Sequence, residues 1–257
     1  MKAVILAGGS RSTINNDSEG IPKPMVEIGE KPILWHIMKM LSSHHVREFI
    51  ICGGYKVNLL KDYFRDFYIY QSDITVDLQN NQVICHKNRT EDWQVTVVDT
   101  GIESLPGQRL LQVKEYVGNE DFLVVHGDCL FDIDITYLIK HHKENGKVLT
   151  LSVAKPTGRN AALPIDKNGL YLEEGEALLP QNQMWADACC RIFKPEVYSY
   201  LEKEDDIGDP LFRALSHENH MISYFHDGFW CPVETIRDKV YLEQLWQSKK
   251  APWKNWE

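Results

Sequence analysis

The chain has 257 residues, 43% hydrophobic and 25% charged, with a formal net charge of -9. This is the make-up of a globular domain with a substantial core. The acidic balance argues against a nucleic-acid polymer as partner, because phosphate backbones are met by a basic face, and no apolar run approaches the roughly 18 residues of a membrane span.

Residues 2–7 (KAVILA) form a continuous apolar run closed by Gly8 and Gly9, the pattern of a buried parallel strand entering a tight turn. The segment is too short for the apolar stretch of a signal peptide and lacks a small-residue cleavage site. From Pro32 to His44, the positions of Ile33, Leu34, Ile37, Met38 and Leu41 mark one helical face, and Pro32 suits its first turn. EFIIC (48–52) is a second strand and VNLLKDYFRDF (57–67) a second helix. Between 69 and 100 the pattern changes to short β-prone pieces, ITVDL (74–78) and QVTVVD (94–99), which predict an insertion of small strands. DFLVVHGD (121–128) is a third strand, ITYLIKHHKE (135–144) its helix, and KVLTLSVA (147–154) another strand. Beyond 160, short strands and a closing helix over 234–247 predict a C-terminal lobe. Strands alternating with helices of this length give an α/β fold, a Rossmann-like mostly parallel sheet with helices on both faces.

In such sheets ligands bind beyond the carboxyl ends of the strands. Two of these ends carry chemistry. Gly8-Gly9-Ser10-Arg11-Ser12-Thr13 follows the first strand, and His126-Gly127-Asp128 closes the third. Paired glycines let backbone N–H groups approach a polyphosphate, and a carboxylate opposite suits a divalent metal bridging its phosphates. No GxGxxG follows the first strand, so a dinucleotide-binding protein is not expected.

The segments MKAVILAGG, PKPMVEIGEKPILWHIMKM, FIICGGYK, VTVVDTG, HGDCLFDIDI and GFWCPVETIRDKVYLEQLWQSKKAPWKNWE span the chain from Met1 to Glu257. Together they resemble the sugar-1-phosphate nucleotidylyltransferases, on their cytidylyl-transferring branch. The resemblance implies the nucleotide-diphospho-sugar transferase fold in a single domain over 1–257, with residues from about 160 forming a sugar-binding and oligomerisation lobe. It implies CTP and a sugar 1-phosphate, glucose 1-phosphate first, as substrates, CDP-sugar and pyrophosphate as products, and Mg²⁺ as cofactor. It also implies an oligomer, while six cysteines without CxxC pairing point to a reducing cytoplasm.

Carried over residue by residue, the resemblance assigns Lys23 in Pro22-Lys23-Pro24 to catalysis and Asp128 to the metal. Gly8, Gly9, Ser10 and Arg109 are assigned to the nucleotide. Other positions depart from the family pattern. Where the family has Gly-Thr-Arg, this chain has Arg11, Ser12 and Thr13, with the spacing from Gly9 to Lys23 unchanged. Arg11 is therefore the candidate substitute for the catalytic arginine. The second metal aspartate is Glu234, Gln108 replaces a glycine, and Glu173-Glu174-Gly175-Glu176 stands where the family has a lysine for the sugar phosphate. Asn160-Ala161 and Ala186-Asp187-Ala188-Cys189-Cys190 also differ from the pattern. Two readings stay open: a nucleotidylyltransferase with a rebuilt and impaired or altered site, or a silent relative that acts as regulatory or structural partner of an active paralogue.

Several residues are set aside. The six cysteines (Cys52, Cys85, Cys129, Cys189, Cys190, Cys231) lack CxxC or metal-ligand spacing and are expected to be buried thiols. His44-His45 and His141-His142 are expected to be exposed or capping histidines at helix ends, and Asp134 a helix cap. Trp246, Trp253 and Trp256 are expected to serve packing or a subunit contact.

Overall fold

Alternation along β1 (Lys2–Ala7) sends Ala3, Ile5 and Ala7 to one side of a sheet and Val4 to the other, and all four are buried. This is the signature of a strand covered on both faces, and it sets the architecture. The computed structural model describes residues 1–9, 20–86, 90–156, 162–172, 184–202 and 205–256.

In chain order, β1 is followed by a 3-10 turn at Lys23–Met25, a short hairpin of β2 (Glu27–Ile28) and β3 (Lys31–Pro32), and α1 (Ile33–Ser42). Next come β4 (Glu48–Gly53), α2 (Val57–Tyr70), the hairpin β5 (Asp73–Asp77) and β6 (Gln82–His86), and β7 (Gln94–Asp99). Two short helices, α3 (Pro106–Gln112) and α4 (Lys114–Val117), precede β8 (Phe122–His126), β9 (Cys129–Phe131), α5 (Ile135–Asn145) and β10 (Leu149–Ala154). The rest comprises β11 (Ala186–Phe193), α6 (Tyr198–Leu201), α7 (Asp209–His217), β12 (Met221–His226), β13 (Trp230–Pro232) and α8 (Ile236–Gln247).

The central sheet has the order β12-β10-β11-β8-β1-β4-β7. Its pairs are parallel except where β11 meets β8 and β10, so β11 alone runs against the rest. One face carries Ile5, Phe49, Ile51, Leu123 and Val125 against α1, α5 and Leu242 of α8. The other carries Val4, Ile50, Phe122 and Val124 against α3, α4, α6 and α7. The fold is the expected mostly parallel sheet with helices on both faces.

Particular assignments change. Gln94–Asp99, grouped by its sequence with the small-strand insertion, is the edge strand of the main sheet, parallel to β4 from Glu48↔Gln94 to Gly53↔Asp99. Of the described residues in that stretch, β5 and β6 alone form a hairpin apart from the main sheet. β11 and β12 come from the stretch expected to form a C-terminal lobe, yet both join the central sheet.

Asp134 does cap α5, accepting from the Tyr137 N–H at 3.0 Å. His142 is not an exposed helix-end histidine. It is fully buried, with Nδ1 at 2.8 Å from the Thr150 hydroxyl. Of the six thiols, Cys85 is exposed and Cys189 only half-buried, contrary to the expectation of uniformly buried cysteines. Trp253 is fully buried, and its indole N–H donates to His36 Nδ1 at 3.4 Å, while Trp246 meets the same imidazole edge to face. The tryptophans are core packing that ties the C-terminal segment to α1.

Candidate active site

Reading outward from β1, the chain places β4 and then β7 on one side and returns β8 to the other. Strand order therefore reverses between β1 and β8, and at such a point the loops diverge and open a crevice at the carboxyl ends. Gly8 and Gly9 follow β1 there, and Gly127 and Asp128 follow β8.

Close packing explains the local sequence. The Gly127 N–H donates to Leu6 O at 3.0 Å, and a Cβ at Gly127 would stand 2.9 Å from Pro24 Cγ. The bare glycine lets the Pro22-Lys23-Pro24 turn lie directly on the end of β8. The turn is closed by the Met25 N–H donating to Pro22 O at 2.8 Å. Its product is a contact across 105 residues: Lys23 Nζ donates to Asp128 Oδ2 at 2.9 Å. Both side chains are about a third exposed, 32% and 28%, so the pair lies at the crevice surface within reach of a ligand.

Asp128 is also tied to the C-terminal part of the chain. β13 runs antiparallel to β9, with Pro232 opposite Cys129, and the Val233 N–H donates to Asp128 O at 2.8 Å. The next residue is Glu234, which is exposed. Its backbone is fixed by the capping box of α8: Asp238 Oδ2 accepts from the Glu234 N–H at 3.1 Å, the Thr235 N–H at 2.7 Å and the Thr235 hydroxyl at 2.8 Å. Asp128 and Glu234, 106 positions apart in sequence, are thus on adjoining backbone.

Arg109 is only 2% exposed and points inward. Its guanidinium donates to the Thr100 hydroxyl at 2.6 Å, Gly101 O at 2.8 Å, Ile102 O at 3.1 Å and Gly53 O at 3.3 Å. It lies so close over Gly8 that a side chain there would collide with it. It therefore braces the ends of β1, β4 and β7 and holds the floor beneath the glycine pair. A Cβ on Gly9, by contrast, would meet nothing within 4 Å among the described residues. Ser10, Arg11, Thr13, Asn160-Ala161 and the 173–176 segment lie outside the described residues.

A second cluster lines the β11 side. Arg191 is 1% exposed, donates to Ile207 O at 2.7 Å, pairs with Asp187, and reaches His126 Nε2 at 3.4 Å. Only the departure of Ala186–Cys190 from the family pattern marked this stretch in the sequence; the antiparallel run of β11 beside β8 brings it to His126. Asp132 is structural, accepting from the Phe229 N–H at 2.6 Å and facing His226 at 2.9 Å.

A strand-end glycine pair, a lysine–aspartate pair and a second carboxylate on adjoining backbone lie together at the strand-order reversal. Residues 2–163 match the family model described as nucleotidyl transferase. The chain belongs to this family, among the sugar-1-phosphate nucleotidylyltransferases. It is 42% identical to a glucose-1-phosphate cytidylyltransferase of Salmonella typhi, over 100% of both chains. A UTP–glucose-1-phosphate uridylyltransferase of Synechocystis is 27% identical over 84% of this chain and 55% of that one. Among solved structures, UDP-glucose pyrophosphorylase in complex with UDP-glucose superposes with a TM-score of 0.71 at 16% identity, covering 96% of this chain and 98% of that one, a likeness of fold.

Proposed function

We propose that the chain joins CTP and a sugar 1-phosphate, glucose 1-phosphate first among them, to give a CDP-sugar and pyrophosphate, at a rate limited by its altered first loop. The observation that carries this is the Lys23–Asp128 pair at the strand-order reversal. A phosphate oxygen of the sugar attacks the α-phosphorus in line, and pyrophosphate leaves. Both reactants are anions, so the protein's task is to position them and offset the charge. Lys23 meets the charge that develops at the α-phosphate. Gly8 and Gly9 let the triphosphate approach the backbone, with Ser10 and Arg11 beside it, and Arg109 holds that backbone in place from below.

Asp128 and Glu234 fit Mg²⁺. Two carboxylates on adjoining backbone, completed by substrate phosphates and water, are the donor set this ion takes. When bound it neutralises phosphate charge. Losing one preorganised donor typically costs about 10²–10³ in rate, and Thr13 stands where the family has an arginine, so turnover is expected to be slow.

One observation favours the silent reading. Among the described residues, Lys23 and Arg109 both spend their charge on protein oxygens. Calorimetry with CTP, dCTP, UTP and ATP in the presence of Mg²⁺, followed by pyrophosphate release on adding glucose 1-phosphate, decides between the two. Turnover that Arg11→Ala abolishes supports the transferase. Binding without turnover makes the chain a nucleotide-binding partner of an active paralogue, and no binding overturns both.

A further inference from the structure

β5 and β6 stand apart from the central sheet as a two-stranded ribbon, paired from Asp73↔His86 to Asp77↔Gln82. Its turn is held from within: the Asp77 carboxylate accepts from the Gln79 and Asn80 N–H groups at 3.0 and 3.1 Å, and from the Asn80 side-chain amide at 2.7 Å. The pairing sorts the side chains by face. Ile74 opposite Cys85 and Val76 opposite Val83 take one face, while both aspartates lie on the other with Thr75, Gln82, Ile84 and His86. The first face is wholly apolar, yet Ile74, Val76 and Val83 are 42%, 48% and 53% exposed. A lone ribbon is marginal in water, and such a face is stabilised by three or more strands or by a helix beneath it. Among the described residues, no further strand pairs with either outer edge.

The two edges differ in charge. An open strand edge is a template for another strand, and charged side chains are the usual protection. β5 begins and ends with an aspartate, whereas β6, Gln-Val-Ile-Cys-His, has no carboxylate, lysine or arginine. A second β6 laid antiparallel about a two-fold axis at Ile84 sets Ile84 against Ile84, Val83 against Cys85 and Gln82 against His86. No like charges meet there, although each chain carries a net charge of -9. The same operation on β5 about Thr75 sets Asp73 against Asp77 twice, and like charges directly opposite destabilise a ladder. Pairing β5 of one copy with β6 of another is head to tail and leaves edges open to further copies, whereas the two-fold contact on β6 closes.

We propose that the chain self-associates through β6, a second copy adding its own β6 antiparallel about Ile84 to make a four-stranded sheet in the order β5-β6-β6-β5. Residues directly opposite share a face, so Val83 and Cys85 of the two copies join the apolar strips into one that crosses all four strands. The antiparallel arrangement also carries each turn past the base of the other ribbon. Leu78, at the start of the turn, is 84% exposed, and Tyr70, which ends the helix preceding the ribbon, is 76% exposed. The two-fold axis brings Leu78 of each copy toward Tyr70 of the other.

The mass of the full chain in solution is measured by size-exclusion chromatography with light scattering. Wild type is expected to be an assembly of an even number of chains. Ile84→Lys, a change at a half-exposed side chain, is expected to halve that mass with the circular dichroism spectrum unchanged. Mild oxidation reads the register. In Cys85→Ser combined with Ile84→Cys, the introduced thiols face each other across the axis, and a disulfide-linked dimer is expected. In wild type each Cys85 stands opposite Val83, which leaves the two Cys85 Cα atoms about 8 Å apart. That exceeds the roughly 7 Å a disulfide spans, so no crosslink is expected. A single-chain wild type, an assembly whose mass Ile84→Lys leaves unchanged, or absence of the crosslink in the Ile84→Cys variant overturns the proposal.

Discussion

The Arg109 guanidinium fills the space into which a side chain at Gly8 would project, so the opening glycine turn and a helix a hundred residues later specify each other. Gly8→Ala is expected to destabilise the fold by about 1–3 kcal/mol through overpacking. Arg109→Ala removes the obstacle along with the brace. In denaturant titrations, Gly8→Ala combined with Arg109→Ala should therefore cost less than the sum of the single variants. Strict additivity would mean that the two residues do not share this space.

Lys23→Ala separates chemistry from stability. The pair with Asp128 is a third exposed and screened by water, so its loss should change unfolding free energy by less than about 1 kcal/mol. In an active transferase, pyrophosphate release should fall by about 10²–10³, because the lost charge is preorganised toward the reacting phosphate. Equal turnover in wild type and variant would remove Lys23 from the mechanism.

The histidines set a pH limit on stability. Burial pushes His36 from 6.5 down to about 4, and burial does the same to His142. The neutral His36 tautomer with the proton on Nε2 donates to Ile28 O at 2.8 Å, leaving Nδ1 to accept from Trp253. Below pH 6.5 the unfolded chain takes up protons that the folded chain refuses until about pH 4. Stability is therefore full above 6.5 and falls between 6.5 and about 4, by an order of about 3 kcal/mol for each histidine. Urea midpoints across that range should decline with acidification, and His36→Phe should decline less steeply from a lower starting point.

Thr235→Val tests how Glu234 is held. The variant loses the side-chain half of the α8 capping box and should cost about 1 kcal/mol in unfolding free energy. Asp238→Ala removes in addition the acceptor of the Glu234 and Thr235 N–H groups, and in that variant Mg²⁺ titrations should show weaker binding than in wild type. Unchanged Mg²⁺ affinity would place the second carboxylate ligand elsewhere.

Much of the fold was legible because it is written in local periodicity. KAVILA and DFLVVHGD read as buried strands because every second residue of each face must be apolar, and the 33–42 helix because its apolar positions recur at helical spacing. Gln94–Asp99 was misplaced for the same reason. A six-residue β pattern reports that a strand exists, while its partner is set by contacts 46 residues away on β4. The exposed-histidine expectation failed at His142 because helix-end position carries no information about the strand that covers it.

The sequence by itself determined the class of fold and the family, and it nominated Lys23, Asp128 and Glu234 for the proposed site, because residue types at fixed spacings survive without coordinates. Tertiary structure decided what those residues touch. It turned Arg109 inward as a brace, brought Lys23 to Asp128 across 105 residues, and set Cys189 in a bulge of the one reversed strand of the central sheet. The physical reason is range. Backbone preference and hydrophobic period act over a few neighbours, whereas a site is assembled by strand pairing and close packing between segments far apart in the chain.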